Sequence, residues 1–311
     1  MAKALVRLGG TAAALAGAAA LVHWRVREAE RAHPPLGRFV AVDGVRLHYV
    51  EEGSGPPLVL LHGLGSMVEE LLLSGLVREA GKRFRVIAFD RPGYGHSERP
   101  QRWRFGPAAQ ARLFRHALEA LEARHPVVFG HSWGTLVAAQ LALQFPQAVR
   151  SLVLASGLYF PSLRLDAPLL VPPAVPVLGD LMKHTLSPLM GRAMWPLWVK
   201  AIFAPAPVPA EFGSFPAWMA LRPGQLRAVA EEAALTLPAT LQAAKRYREL
   251  EPPVVLVTGG ADRYVSPESH TLRLHRTLPA SRLFVSPGSG HMVHHTDLPR
   301  VLEAIDAAAP S

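Results

Sequence analysis

The sequence predicts an α/β fold: a mostly parallel sheet with helices on both faces and an inserted helical lid. Short apolar runs alternate with helical stretches before and after residues 158–248, as buried parallel strands alternate with their crossover helices. Within residues 158–248 this alternation stops, and a proline-rich, aromatic segment replaces it. The chain has 311 residues, 50% of them apolar and 18% charged, which supplies enough apolar material for a sizeable core.

The first 35 residues are set apart from this fold as an N-terminal membrane anchor or signal segment. The uncharged run at residues 8–22 has 15 residues, which suits a signal-peptide core and is short for a membrane span of about 20. Trp24 suits an uncleaved anchor, the alanines at 18–20 suit cleavage and secretion, and a soluble helical extension stays open. Basic residues flank the run on both sides: Lys3, Arg7, Arg25, Arg27 and Arg31.

The charge and cysteine content exclude several classes of protein. The net charge is +9, but residues 1–38 carry +4 of it, and no basic stripe typical of nucleic-acid binding follows. The absence of cysteine excludes disulfides, thiolate metal sites and a cysteine nucleophile. We expect no cofactor and no nucleic-acid partner, and the oligomeric state is left open.

The core is predicted to comprise residues 36–157 and 249–311. A hairpin is expected within residues 38–53, because two alternating runs flank Asp43-Gly44. Six buried strands are expected at residues 58–61, 84–89, 127–129, 152–154, 254–257 and 283–285. Helices are expected at about residues 66–81, 107–124, 133–145, 267–278 and 297–308.

The lid is predicted at residues 158–248. Residues 161–219 contain eleven prolines, three of the six tryptophans and four of the seven methionines. So many large apolar side chains would not remain in water, which favours an inserted helical lid over a disordered loop. Seven of them offer an apolar surface over a site or pack within the lid: Met182, Met190, Met194, Trp195, Trp198, Phe203 and Trp218.

Ser132 is the predicted nucleophile. It lies in Gly130-His131-Ser132-Trp133-Gly134, which follows one predicted strand and begins a predicted helix. G-x-S-x-G in this strand–turn–helix context forms a sharp turn that exposes the serine hydroxyl, and the helix N-terminus faces a developing oxyanion. The pattern alone is weak, but its position between strand and helix makes an ordinary turn a poor explanation.

Asp262 and His291 complete the expected catalytic triad. Each follows the end of a predicted strand, in the order serine, acid, histidine that this arrangement requires. The backbone N–H groups of Leu64 and Trp133 are the expected oxyanion hole. No metal is expected: His291, His294 and His295 form an H-x-x-H-H cluster, but no carboxylate pattern accompanies it.

Five motifs follow one another along the predicted core: HGLG at 62–65, DRPGYGHS at 90–97, GHSWG at 130–134, GGAD at 259–262 and GSGH at 288–291. Through these motifs and their order the chain resembles the α/β-hydrolase family over residues 38–308. The resemblance implies an eight-stranded, mostly parallel sheet with a lid inserted after the sixth strand. It also implies a structural, pocket-shaping role for the loop that begins at Asp90.

The resemblance and the serine nucleophile together predict a carboxylesterase- or lipase-like enzyme without cofactor. Relatives that carry aspartate at the elbow, the epoxide hydrolases and haloalkane dehalogenases, are disfavoured by Ser132. The apolar lid, with Trp195, Trp198 and Trp218 as candidate binding residues, indicates a hydrophobic or lipid-like ester substrate.

Two alternatives stay open on the sequence. A carbon–carbon bond hydrolase would use the same triad, and would need arginines such as Arg164, Arg192 or Arg222 near its carboxylate-bearing substrate. A non-catalytic ligand-binding protein on the same fold is the other, since fold does not fix function.

Overall fold

The computed structural model describes residues 2–100, 105–162 and 167–309. The strands are β1 (Arg38–Val42), β2 (Val45–Glu52), β3 (Pro57–Leu61), β4 (Arg85–Phe89), β5 (Val127–His131), β6 (Ser151–Ala155), β7 (Val254–Gly259) and β8 (Arg282–Ser286). The helices outside the lid are α1 (Ala2–Ala32), α2 (Val68–Leu73), α3 (Leu76–Gly81), α4 (Pro107–Ala120), α5 (Gly134–Gln144), α11 (Thr271–Thr277), α12 (Val293–Thr296) and α13 (Leu298–Ala308). Those of the lid are α6 (Ala167–Leu170), α7 (Leu178–His184), α8 (Leu186–Phe203), α9 (Ala217–Ala220) and α10 (Pro223–Ala244).

The eight strands form one sheet in the order β1-β2-β4-β3-β5-β6-β7-β8. The β1–β2 hairpin and the β2–β4 pair are antiparallel, and every pair from β4 to β8 is parallel. The predicted fold class is therefore confirmed. Parallel pairing places the carboxyl ends of β3 to β8 at one edge of the sheet, where the loops that follow them converge.

Alternate residues of each central strand enter two different cores. In β3, Val59 and Leu61 pack with α4 and α5, whereas Leu58 and Leu60 pack with α2, α3 and α13 on the opposite face. All four side chains are fully buried, because a strand covered by helices on both faces has no solvent side. This explains why the strands appear in the sequence as continuous apolar runs.

The predicted helix at residues 66–81 is two helices. The chain breaks at Gly75, whose φ of 78° lies in the left-handed region that continues no right-handed helix. The apolar pattern runs through the break because both α2 and α3 bury side chains in the same core. The last predicted helix, at about residues 297–308, is α13, which begins at Leu298 after the separate short helix α12.

The lid follows β6, where the resemblance implied it, and α1 packs against the lid. Ala29 of α1 is buried in an apolar cluster with Phe212, Phe215 and Met219. Among residues 9–32, only Val22 and Ala29 are buried. Across the described chain, no helix combines the length and the hydropathy that crossing a membrane requires.

The buried carboxyl of Glu69 makes the stability of the fold depend on pH. It is buried on α2, and its Oε2 has no hydrogen-bond partner. Burial and the negative charge of Asp90 raise the pKa of Glu69 from 4.5 to about 7. The folded state thus prefers the protonated carboxyl, so stability falls as the pH rises from about 4.5 to 7 and the unfolded chain ionises first.

We therefore expect Glu69→Gln to raise Tm at pH 8 by on the order of 5 °C and to change it little at pH 4.5. Thermal unfolding of both proteins across this range measures the difference. Glu251→Gln, which changes an exposed glutamate, is the matched control and should leave the pH dependence as it is. A Glu69→Gln profile parallel to that of the unmodified protein would contradict the assignment.

Candidate active site

Ser132 lies in a strained turn between β5 and α5. Its φ is 52°, in the left-handed region that a residue with a side chain rarely adopts. Gly130 and Gly134 permit the turn: an added Cβ would lie 2.7 Å from the Gly134 carbonyl oxygen at the first and 2.4 Å from that of Leu61 at the second. The turn is held by hydrogen bonds from the Ser132 N–H to the Ala155 carbonyl and from the Thr135 hydroxyl to the Ser132 carbonyl.

The structure brings Ser132, His291 and Asp262 into one hydrogen-bonded chain. Nε2 of His291 lies 2.9 Å from the Ser132 hydroxyl, and Nδ1 lies 2.8 Å from Oδ2 of Asp262. The carboxylate accepts only, so the imidazole hydrogen is on Nδ1 and Nε2 is free to accept the serine proton. Oδ1 of Asp262 accepts from the N–H groups of Tyr264 and Val265, which fixes the carboxylate.

The backbone of His291 is held from two sides. Its N–H donates to the carbonyl of Ile202 at the end of lid helix α8, at 3.1 Å. Its carbonyl accepts from Nε2 of His131, also at 3.1 Å. Burial, together with the charges that His294 and His291 would carry, holds the pKa of His131 well below its usual range, so this ring is a neutral donor. His131 therefore orients the base from the residue that precedes the nucleophile.

Leu64 and Trp133, whose N–H groups are the predicted oxyanion hole, lie beside Ser132. Gly63 approaches Ser132 closely enough that an added Cβ would be 3.1 Å from the serine Cβ. Within the described chain, neither the Leu64 N–H nor the Trp133 N–H donates to another protein group. Trp133 is the N-cap residue of α5, whose N-terminal dipole favours negative charge at this point.

A buried carboxylate lies behind the triad. Glu70 of α2 accepts from Nε2 of His294 and, at 2.7 Å, from Nε2 of His295. Burial alone would raise the pKa of Glu70, but these two histidines lower it well below its usual range. No sequence pattern predicted this partner, because Glu70 and His294 are 224 positions apart.

Glu70, His131 and His294 each offer a ligand atom within 4.8 Å of the other two, a donor set that sequence spacing had not indicated. The Nε2 atoms of both histidines already make hydrogen bonds, to Glu70 and to the His291 carbonyl. We describe the group as a buried hydrogen-bond network.

An apolar cleft opens at Ser132. Its empty space, including the mouth, is about 910 Å³. Trp195 and Trp198 line it, whereas Trp218 does not and packs instead in the cluster that contains Ala29. The other large apolar side chains at its wall are Leu64, Leu158, Leu170, Val199, Ile202, Phe212, Phe215, Val229, Tyr264 and Met292.

The cleft contains no cationic side chain from the described residues. Arg192 is exposed, Arg222 donates to the carbonyls of Met219 and Gly95, and Arg164 lies outside the described residues. The sequence did not predict roles for His131 and Glu70, because both reach the site through tertiary contacts. The only sequence signal for His131 was its place beside the nucleophile.

The fold, the turn at Ser132 and the acid–histidine pair are together typical of the α/β-hydrolase class. The family model described as alpha/beta hydrolase fold matches residues 56–298. The chain belongs to this family.

Relatives within the family carry different names. An uncharacterized protein of Mycobacterium tuberculosis is 29% identical over 293 residues, 88% of this chain and 81% of that one. A 2-hydroxy-6-oxo-2,4-heptadienoate hydrolase of Pseudomonas putida is 28% identical over 264 residues, 83% of this chain and 90% of that one. The crystal structure of a bacterial membrane phospholipase A superposes with a TM-score of 0.66 at 24% identity and covers 100% of both chains.

Asp262→Asn should preserve the shape of the site but place the wrong tautomer on His291. For a hydrolytic reaction at Ser132, we expect kcat to fall by about 10³–10⁴ with little change in Tm. Steady-state kinetics measure this, with Asp297→Asn as control, since Asp297 caps α13 through the N–H of Arg300 and does not touch the triad. Equal losses in the two variants would remove Asp262 from its role.

Proposed function

We propose that this protein is a serine hydrolase that cleaves carboxylic esters with a hydrophobic, lipid-like acyl or alcohol part. The observation that carries the proposal is the Ser132–His291–Asp262 chain at the floor of an apolar cleft. A hydrophobic cleft with a few convergent polar groups is the usual form of a small-molecule site.

The expected mechanism passes through an acyl-enzyme. Ser132 attacks the ester carbonyl while Nε2 of His291 takes its proton, and Asp262 stabilises the imidazolium. The oxyanion accepts hydrogen bonds from the N–H groups of Leu64 and Trp133. His291 then returns the proton to the departing alkoxide, and a water molecule, deprotonated by His291, releases the acid and restores Ser132.

The carbon–carbon bond hydrolase is less well supported. The Pseudomonas putida relative bears the name of such an enzyme, but its substrate carries a carboxylate, and the described cleft offers no arginine or lysine to bind one. A cleft without cationic groups favours a neutral substrate, because an unpaired buried carboxylate is costly.

An inert ligand-binding protein is the other alternative. The hydrogen bond from Ser132 to His291 supports an activated nucleophile instead. Labelling of Ser132 by a fluorophosphonate distinguishes the two, since an inert binder reacts no faster than free serine.

A p-nitrophenyl ester series from acetate to palmitate tests the proposal. We expect kcat/KM to rise with acyl length as the chain fills the cleft, at about 0.8 kcal/mol per buried methylene until the cleft is filled. Ser132→Ala should lower the rate of turnover by several orders of magnitude. Full activity in Ser132→Ala, or acetate far outperforming longer esters, would sink the proposal.

Trp198 in the wall of the cleft and Trp218 outside it allow a matched pair of variants in the same assay. Trp198→Ala widens the cleft and should lower kcat/KM for long esters about tenfold relative to acetate. Trp218→Ala lies off the cleft and should leave the acyl preference unchanged. The ratio of rates on long and short esters reports the difference independently of the amount of folded enzyme.

We also propose that the N-terminal part of α1 attaches the protein to membranes. Residues 9–14 are exposed, and the sequence before them is basic and apolar. Flotation with anionic phosphatidylglycerol vesicles should carry the full chain and leave a variant without residues 1–20 behind. That variant should keep its activity on a soluble ester, since Val22 is the first buried side chain among residues 9–32 of α1. Equal flotation would contradict the proposal.

A further inference from the structure

Arg91 and Glu232 form an ion pair that is fully buried between the core and the lid. Nη1 of Arg91 lies 2.8 Å from one carboxylate oxygen of Glu232 and 2.9 Å from the other, and both side chains are 0% exposed. The Tyr94 hydroxyl and the Gln110 amide also donate to the carboxylate, at 2.7 and 2.6 Å. Burying such a pair costs desolvation that often offsets its attraction, so stability alone explains it poorly.

The remaining donors of Arg91 bind the loop that follows β3. Nε donates to the carbonyl of His62 at 2.9 Å, and Nη2 donates to the carbonyl of Gly63 at 3.0 Å. The Arg91 N–H donates to Nε2 of His62, so the imidazole hydrogen is on Nδ1 and donates to the same Gly63 carbonyl at 2.8 Å. Burial and the Arg91 charge lower the pKa of His62 to about 3, which keeps this ring neutral.

The Gly63 carbonyl and the Leu64 N–H belong to one peptide unit. A trans peptide is planar and its C=O and N–H point in opposite directions, so fixing the carbonyl also fixes the N–H. Two hydrogen bonds to that carbonyl, one from a charged group, also polarise the peptide and strengthen its N–H as a donor. Arg91 thus acts on the Leu64 N–H, one of the two donors of the oxyanion hole, through the carbonyl on the opposite side of the same peptide.

Helix α10 of the lid, which carries Glu232, also contacts Trp133, the second residue of the proposed oxyanion hole. The Arg91 guanidinium lies 4.6 Å from the Trp133 ring centroid and 4.5 Å from that of Tyr94. The indole N–H of Trp133 donates to the hydroxyl of Thr236 at 3.2 Å, and Thr236 is one helical turn after Glu232 in α10. Both oxyanion residues are therefore tied to α10.

We propose that Arg91 and Glu232 are positioning residues that couple the lid to the oxyanion hole: Glu232 holds the guanidinium, and the guanidinium orients and polarises the Gly63–Leu64 peptide. This inference rests on the proposed function. It assigns part of the hydrogen-bonding strength of the Leu64 N–H in the oxyanion hole to a carboxylate on the lid. Neither residue lines the cleft.

Glu232→Gln tests the coupling, because it removes the charge and keeps an oxygen that accepts from Tyr94 and Arg91. We expect kcat for a p-nitrophenyl ester to fall about tenfold or more with KM within twofold, less than the ~10²–10³ lost when an oxyanion donor is removed. Affinity for an alkyl boronic acid, which forms a tetrahedral adduct on Ser132, should fall by a similar factor. Arg91→Lys, which keeps the charge but loses the planar fork, should behave alike.

Glu231→Gln is the matched control on the same helix. Glu231 pairs with Arg99 at 2.8 Å, and Arg99 also lies 3.5 Å from Oε1 of Glu232. Within the described chain Glu231 itself makes no hydrogen bond to the loop at Gly63, so kcat and boronate affinity should stay unchanged. All rates are expressed per active site titrated with fluorophosphonate, so a low yield of folded Glu232→Gln does not obscure the comparison. A purely structural role would lower Tm and leave kcat per site and boronate affinity equal to those of Glu231→Gln, which would overturn the proposal.

Failure of the proposed function gives a different result. The unmodified protein and Ser132→Ala would then process the ester panel equally, before any lid variant is compared. The rate at which a fluorophosphonate labels Ser132 still tests the coupling in that case, because phosphonylation also develops charge in the oxyanion hole. Equal labelling rates in Glu232→Gln and Glu231→Gln would overturn it.

Discussion

The left-handed backbone of Ser132 is the constraint on which the rest of the structure depends. A serine at φ of 52° costs energy, and the turn persists because β5 and α5 are locked in place around it. Without side chains at Gly130 and Gly134, helix and strand approach closely enough to raise the hydroxyl above the carboxyl edge of the sheet. Every other functional group is arranged around that point.

The order of the strands explains how distant segments meet there. With β3 beside β5 and β7 beside β8, parallel pairing brings the Gly63 loop, Ser132, Asp262 and His291 to one edge. The loops themselves are short and held by hydrogen bonds to their own backbone, as with Asp262 and the N–H of Val265. Catalytic geometry is thus a product of sheet register, with small local adjustments.

The lid contributes more than a cover. It supplies the Ile202 carbonyl to the His291 N–H, two tryptophans to the wall of the cleft, and Glu232 to the buried guanidinium of Arg91. Each of these contacts joins lid to core at a group that the chemistry uses. A lid tied to the base and to the oxyanion hole is expected to transmit its own displacement to both.

The sequence by itself determined the fold class, because period-2 and period-3.6 patterns and turn chemistry are local signals. The same signals predicted Ser132, Asp262 and His291, in that order, as the candidate nucleophile, acid and base. The sequence also placed the lid, through the loss of strand alternation. Tertiary structure alone decided that Trp218 lies off the cleft and that Gly75 breaks a helix whose apolar pattern continues through it. It also decided the partners of Arg91, His131 and His294, since Glu232 is 141 positions from Arg91 and Glu70 is 224 from His294. A buried charge needs a partner, but only the packing of the folded chain decides which residue that partner is.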